Sequence, residues 1–212
     1  MKPFFSVIVP AHNSEKYLKK CLQSVINQTF QDFELIVVCD ACTDGTYNVA
    51  RQYTEKVITT DFGMDGMARN AGIDAAKGGW ILFLDDDDWW IHDYVLEEVH
   101  RAITETLFPV GMILFDFIWN NAPAHKRGYY VQGIDNVNIA VWSKAFRRET
   151  IGDTRFPAIP FTSDKPFMDE ICAKRPTAVH LHELMYFYNY MREGSQTEIN
   201  ARPDGAVPDA RE

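Results

Sequence analysis

Short, wholly apolar runs alternate with segments of helical periodicity over the first 90 residues, and this restricts the chain to very few folds. Residues 4–9 (FFSVIV), 33–39, 56–60 and 80–84 (WILFL) have the length and composition of strands buried on both faces. Between the first two, Tyr17, Leu18, Cys21, Leu22, Val25 and Ile26 fall on one face of a helix that Asn13 or Ser14 can cap. Residues 46–54 and 68–76 read as further helices, the latter stopped by Gly78-Gly79. Strands that alternate with helices make a parallel sheet with right-handed crossovers. Chemistry then gathers at the carboxyl ends of the strands. Three strands run into PAHN, CDACTDG and DDDD, which places all three segments on one rim of the sheet.

The rest is less regular. Residues 93–106 form an amphipathic helix with Asp93 as its expected cap, and residues 110–119 a strand. Residues 120–136 are a polar loop, and 138–146 a strand end with a short helical turn. Residues 164–174 read as a helix with Pro166 tolerated in its first turn, and 177–182 and 185–191 as a closing pair of strands. From about Ile199 the composition is that of a disordered tail.

With 212 residues, one domain is expected, and 46% apolar content is enough for a core. The net charge of −9 argues against nucleic acid as a partner and against a broad basic membrane face. No run approaches the ~18–20 apolar residues of a membrane span, and the N-terminus lacks the pattern of a signal peptide. Four cysteines do not make a disulfide scaffold, so a cytoplasmic domain is expected, peripheral at the inner membrane face if its acceptor lies there.

The strongest local signal is FLDDDDWW at 83–90. Four adjacent carboxylates at a strand end repel one another, and a bound Mn²⁺ or Mg²⁺ with its preference for oxygen ligands would relieve them. A solvated acidic loop is the other reading. Asp40 follows the second strand, where a carboxylate can accept from a base or ribose. Arg69 opens a helix after the glycine-containing loop 63–66, a place suited to a diphosphate or to a surface ion pair. Cys39-Asp40-Ala41-Cys42 is a lone C-x-x-C, weak as a redox motif, with Cys39 better read as a small core residue. His180 and His182 face one side of a strand, as surface histidines or metal ligands. Trp89, Trp90 and Trp142 are aromatic candidates for a sugar face, and Lys144 for a phosphate or carboxylate.

Six segments in order then resemble the family 2 inverting glycosyltransferases: FSVIVPAHN (5–13), VCDACTDGT (38–46), ARNAG (68–72), FLDDDD (83–88), VWSKAFRRET (141–150) and YMREGSQT (190–197). The resemblance implies the α/β GT-A fold, a Rossmann-like, mostly parallel central sheet flanked by helices in a single domain at 1–198. Its nucleotide-sugar half is about 1–90 and its acceptor-side half about 91–198, with 199–212 as the tail. Pro10, Ala11, Asn13 and Glu15 would line the nucleotide pocket, Asp40 would recognise the base, and Arg69 would sit near the diphosphate. Asp85 would touch ribose or metal, Asp86 would belong to the nucleotide-sugar site, and Asp87 would bind the metal with help from Asp88. Asp164 takes the place of the catalytic base. Trp142 and Lys144 are assigned to the acceptor or donor sugar. Ser163 stands where the family usually has Glu, Cys39 where Asp is usual and His12 where Tyr is common.

The implied activity is metal-dependent inverting transfer, of hexosyltransferase type. A sugar would pass from a nucleotide diphosphate sugar, foremost a UDP-sugar, to an acceptor hydroxyl in surface polysaccharide or glycolipid synthesis. Asp164 would take the hydroxyl proton, and a cation such as Lys165 or Lys144 would keep it ionised. At this length there is room for the donor sheet and one short acceptor-side region, so a glycan or glycolipid acceptor at a membrane would be met by transient contact. A phosphotransferase with a D-x-D-x-T loop is disfavoured, because Trp89 stands where Thr is needed. A nucleotidyltransferase lacks its glycine- and lysine-rich loop after the first strand. A binding protein of the same fold with impaired catalysis is the remaining alternative, kept open by Ser163.

Overall fold

The computed structural model describes residues 2–119, the backbone of 128–130, and residues 137–190; the expected tail and most of the expected 120–136 loop lie outside them. The strands are β1 (Phe5–Ala11), β2 (Phe33–Asp40), β3 (Val57–Thr60), β4 (Trp80–Phe83), β5 (Trp89–Trp90), β6 (Met112–Trp119), β7 (Gly128–Tyr130), β8 (Lys144–Arg147) and β9 (Ala178–Tyr188). They form one sheet in the order β3-β2-β1-β4-β8-β6-β9-β5, with β7 on β6. The pairs β1–β2, β1–β4, β2–β3 and β6–β9 are parallel, and β8 runs opposite to both β4 and β6. Most strands therefore point one way, and β8 joins the two parallel portions.

Both faces are covered, which is why β1 and β4 are buried along their whole length. On one face α1 (Glu15–Ile26) and α4 (Val95–Glu105) pack Leu18, Leu22, Val25, Val95 and Val99 against Val7, Val9 and Leu82. On the other, α3 (Asp65–Ala75) and α6 (Asp164–Ala173) pack Ala68, Ile73, Phe167 and Ile171 against Ile8, Ile81 and Phe83. The alternation of Val7 and Val9 with Ile8 is the period of two, read out as two cores. Two short helices, α2 (Thr46–Ala50) and α5 (Arg148–Ile151), complete the set with a 3₁₀ turn at Val141–Ser143.

Four expectations need correction. The closing pair of strands is a single strand, β9, that runs beside β6 through two irregularities of register. Helix α4 starts after Tyr94, because the carbonyl of Asp93 accepts the Thr29 amide at 2.6 Å and is held in the loop. Helix α3 starts at Asp65, so Arg69 lies in its second turn instead of opening it. Asp40 draws in the Met64 amide at 2.9 Å and Asp65 Oδ1 accepts the Gly66 amide, which begins the helix where glycine suggested a loop. Helix α2 ends at Ala50, and the next residues continue only as turns. Ser14 does occupy the position before α1, but its hydroxyl makes no capping bond.

Candidate active site

The carboxyl ends of β1, β2 and β4 open into a cleft of about 430 Å³. Its walls include Pro10, Ala11, His12, Asp40, Arg69, Asp85, Asp86 and Asp87, with Phe161, Tyr188 and Asn189 from the second half of the chain. The rim deduced from strand ends is therefore a real concavity, of the volume that holds small-molecule ligands. A second, smaller hollow continues from it, lined by Asp85, Arg69, Ser163, Asp164, Trp142 and Tyr188.

Arg69 is the centre of the arrangement. Its guanidinium is 4% exposed and reaches Asp65 at 2.6 Å, Asp85 at 2.7 Å and Asp164 at 3.4 Å. Burial disfavours its charge, but Asp164, Asp85 and Asp65 outweigh that and hold it firmly protonated. The Asp65 contact is an i,i+4 pair on α3, a spacing that has meaning only once the helix is known to begin at Asp65. Arg69 is thus committed to three carboxylates on the cleft wall, and its expected place near a diphosphate is one it would fill from that wall.

The four consecutive aspartates do not act alike. Asp85 pairs with Arg69, and Asp86 Oδ2 accepts the His12 amide at 3.0 Å. Asp87 is half-buried on the cleft wall. Asp88 points away and is fully buried, accepting from Tyr186 Oη at 2.5 Å and from the Asn189 amide at 2.7 Å. Burial, with Asp87 and Asp85 close by, pushes its carboxyl well above the usual range. In place of the expected help at a metal, Asp88 ties the start of β5 to the end of β9. Mutual repulsion in the run is relieved by Arg69, by backbone amides and by sinking one member into the core. The three that remain on the cleft offer only carboxylate oxygen, a hard donor set that fits Mg²⁺ or Mn²⁺.

Asp164 opens α6 and accepts the Val141 amide at 3.1 Å. Burial raises its carboxyl above the ordinary value, against the pull of Arg69. The cation paired with it is Arg69; of the expected lysines only Lys144 feels its charge, from within the core. Lys165 pairs with Asp169 on the outer face. Lys144 is wholly buried, its ammonium bonded to the Ala140 carbonyl at 2.5 Å, and it lines neither hollow. Its expected contact with a substrate conflicts with that burial. Two residues before Asp164, Thr162 holds φ at 56°, a costly conformation for a β-branched residue. That turn sets the angle at which α6 presents Asp164.

The remaining expectations are divided. Asp40 is on the cleft wall, but it accepts from Thr60 Oγ1 at 2.9 Å, Phe62 N at 2.7 Å and Met64 N at 2.9 Å. These bonds shape the 62–64 loop. Asn13 and Glu15 lie outside the cleft lining and brace the loop after β2, accepting the Thr43 amide at 2.8 Å and the Gly45 amide at 3.0 Å. Trp142 borders Asp164 but stacks on Tyr186 and Tyr188 and is 7% exposed, which leaves little of its face for a sugar. Trp90 is core, and Trp89 stacks on Phe187 outside the cleft with the Lys20 ammonium over its ring. Ser163 is buried beneath the hollow, and a Cβ on Gly66 would stand 2.8 Å from its own Cβ. The larger Glu expected at that place would crowd α3. Tyr186, which orders both Asp88 and the Asp85 amide, carries no local signal in the sequence, because its role needs β9 beside β5.

Comparison with known proteins agrees with this geometry. A family model described as glycosyl transferase family 2 matches residues 6–168. The chain is 38% identical over 166 residues to the putative glycosyltransferase EpsH of Bacillus subtilis, covering 70% of this chain and 48% of the relative. It is 35% identical to the putative teichuronic acid biosynthesis glycosyltransferase TuaG of the same organism, covering 88% and 79%. The crystal structure of Staphylococcus aureus TarS in complex with UDP-GlcNAc superposes with a TM-score of 0.79 at 26% identity, covering 92% of this chain and 60% of that one. The chain spans about half of EpsH and less than a third of the pneumococcal glycosyltransferase GlyA. A GT-A sheet, a cleft of carboxylates at its strand ends and a match over most of the sequence converge on one assignment: the chain belongs to glycosyl transferase family 2.

Proposed function

We propose that the chain is an inverting, metal-dependent glycosyltransferase that moves a sugar from a UDP-sugar to a hydroxyl of a glycan or glycolipid acceptor. The observation that carries this is the meeting of Asp85, Asp87 and Arg69 with Asp164 in two connected hollows. The cleft supports the donor side and the hollow beside Asp164 the acceptor side. The TarS neighbour's complex with UDP-GlcNAc supports a uridine donor, and the names of relatives that act on poly(ribitol-phosphate) or in teichuronic acid biosynthesis support a glycan acceptor.

Asp87 and Asp85 would hold Mn²⁺ or Mg²⁺, which when bound offsets charge on the leaving diphosphate. Asp164 takes the proton of the attacking hydroxyl. Its raised proton affinity makes it a stronger base than an exposed aspartate, and Arg69 opposes that rise. Attack from the Asp164 side, opposite the diphosphate, inverts the anomeric carbon.

Turnover of UDP-sugars with Mn²⁺ tests the reading. Asp164→Asn should lose at least about 10²-fold in rate while still binding UDP. No turnover of any UDP-, GDP- or dTDP-sugar by the wild type, with UDP binding retained, would favour a binding protein.

A further inference from the structure

We propose a second metal site, selective for zinc, built from Asp116, His180 and His182 on β6 and β9. One ligand atom from each lies within 4.8 Å of the others, and the two imidazole rings are 4.0 Å apart. His180 Nε2 is 2.8 Å from Asp116 Oδ1, and both side chains are 4% exposed, while His182 faces solvent. The cluster is thus half inside and open to entry from one side. None of the three lines the cleft or its extension.

A separate feature of the backbone falls on the same spot. The β6–β9 ladder is regular until Phe115 pairs with Leu181; then Asp116 pairs with Leu184. His182 and Glu183 are therefore surplus residues on β9, bulged where the histidines sit. Bulges re-aim side chains and are over-represented beside functional groups. Here the bulge falls at His182, beside the carboxylate on which both histidines converge.

Two imidazoles and a carboxylate differ from the all-carboxylate set of the cleft. The nitrogen donors favour Zn²⁺ or Co²⁺, and a water completes a tetrahedron. Bonds of about 2.0–2.1 Å need the ligand atoms about 3.4 Å apart, a small rotation from the present spacing. As the ion enters, it replaces the hydrogen bond between His180 and Asp116, and His180 carries its proton on the ring nitrogen that the ion leaves free. The site staples β6 to β9 across their bulge.

Co²⁺ is a suitable probe, because tetrahedral coordination gives intense visible absorption. Titration of the purified chain should give one such site, displaced by Zn²⁺. His182→Ala, an exposed change, should weaken it at least tenfold with the circular dichroism spectrum unchanged, and Asp116→Asn should act likewise. Asp87→Asn should leave it intact. Absence of the absorption band, or its loss in Asp87→Asn with retention in His182→Ala, overturns the proposal. The test reads metal directly and does not depend on the glycosyltransferase reading.

Discussion

Arg69 shows how one side chain organises a site: three carboxylates from α3, the end of β4 and α6 share its buried guanidinium. Removal of the cation would leave Asp164 among like charges and push its proton affinity higher still. In the intact protein the raised carboxyl of Asp164 has a kinetic signature. The acidic limb of the pH–rate profile should lie above the ordinary aspartate value of 3.8, with activity rising as pH rises through it, and Asp164→Asn should abolish the limb. Lys144 makes the opposite case. Burial lowers its ammonium from 10.5 to about 7, against the pull of Asp164. Between those values the unfolded chain binds more protons than the folded one, so stability rises with pH across that window. Lys144→Met lacks this dependence. Denaturant midpoints should show the mutant's advantage at pH 7 shrinking toward pH 10. An advantage that stays constant over the range would contradict the assignment.

At the scale of elements, the donor side depends on how closely α3 lies on the sheet. A Cβ on Gly72 would run into the Cγ2 of Ile8 on β1. Alanine is the better helix former, by about 1 kcal/mol, so propensity alone favours Gly72→Ala. The clash should win: we expect a net loss of about 1–3 kcal/mol in urea unfolding, since overpacking forces the helix away from its strand. Arg69 moves with α3, so UDP affinity should fall as well. These contacts explain which parts were legible. The strands β1, β2 and β4 were visible because burial on both faces leaves an unbroken apolar run. The start of α3 was not, because Asp40 and Asp65 set it through hydrogen bonds that glycine in the sequence concealed. Sequence patterning divides β9 in two for the same kind of reason: the alternation of Val179 and Leu181 with His180 and His182 breaks at Glu183-Leu184, and only β6 alongside keeps it extended through a bulge.

For the whole molecule, the formal charge of −9 is unevenly spread. Asp88 is sunk in the core, Asp65, Asp85 and Asp164 surround one arginine, and Asp86 and Asp87 face the cleft. A ligand carrying more negative charge, such as a nucleotide diphosphate, enters that cleft more readily with a divalent cation. UDP with Mn²⁺ should therefore stabilise the protein where UDP alone does not. At a hundredfold excess over Kd the gain is about 2.7 kcal/mol, or roughly 5–10 °C in Tm for a domain of this size. Equal shifts with and without Mn²⁺ would argue that the cleft needs no metal. Among the described residues no helix is long and apolar enough to cross a membrane.

The sequence by itself determined the alternation of strands and helices, the common rim, and the identity of Asp85, Asp87, Arg69 and Asp164 as the residues to watch. The first two are local, since a period or a run fixes them; the four residues rest on short motifs, and Asp164 on its place in the family resemblance. Only the tertiary structure decided which aspartate of the four is buried, which cation serves Asp164, and that Lys144 lies beneath the site. It also decided that Asp116 joins His180 and His182. Those outcomes depend on which strands become neighbours, because burial and pairing between residues up to about a hundred positions apart are set by packing and not by any segment alone.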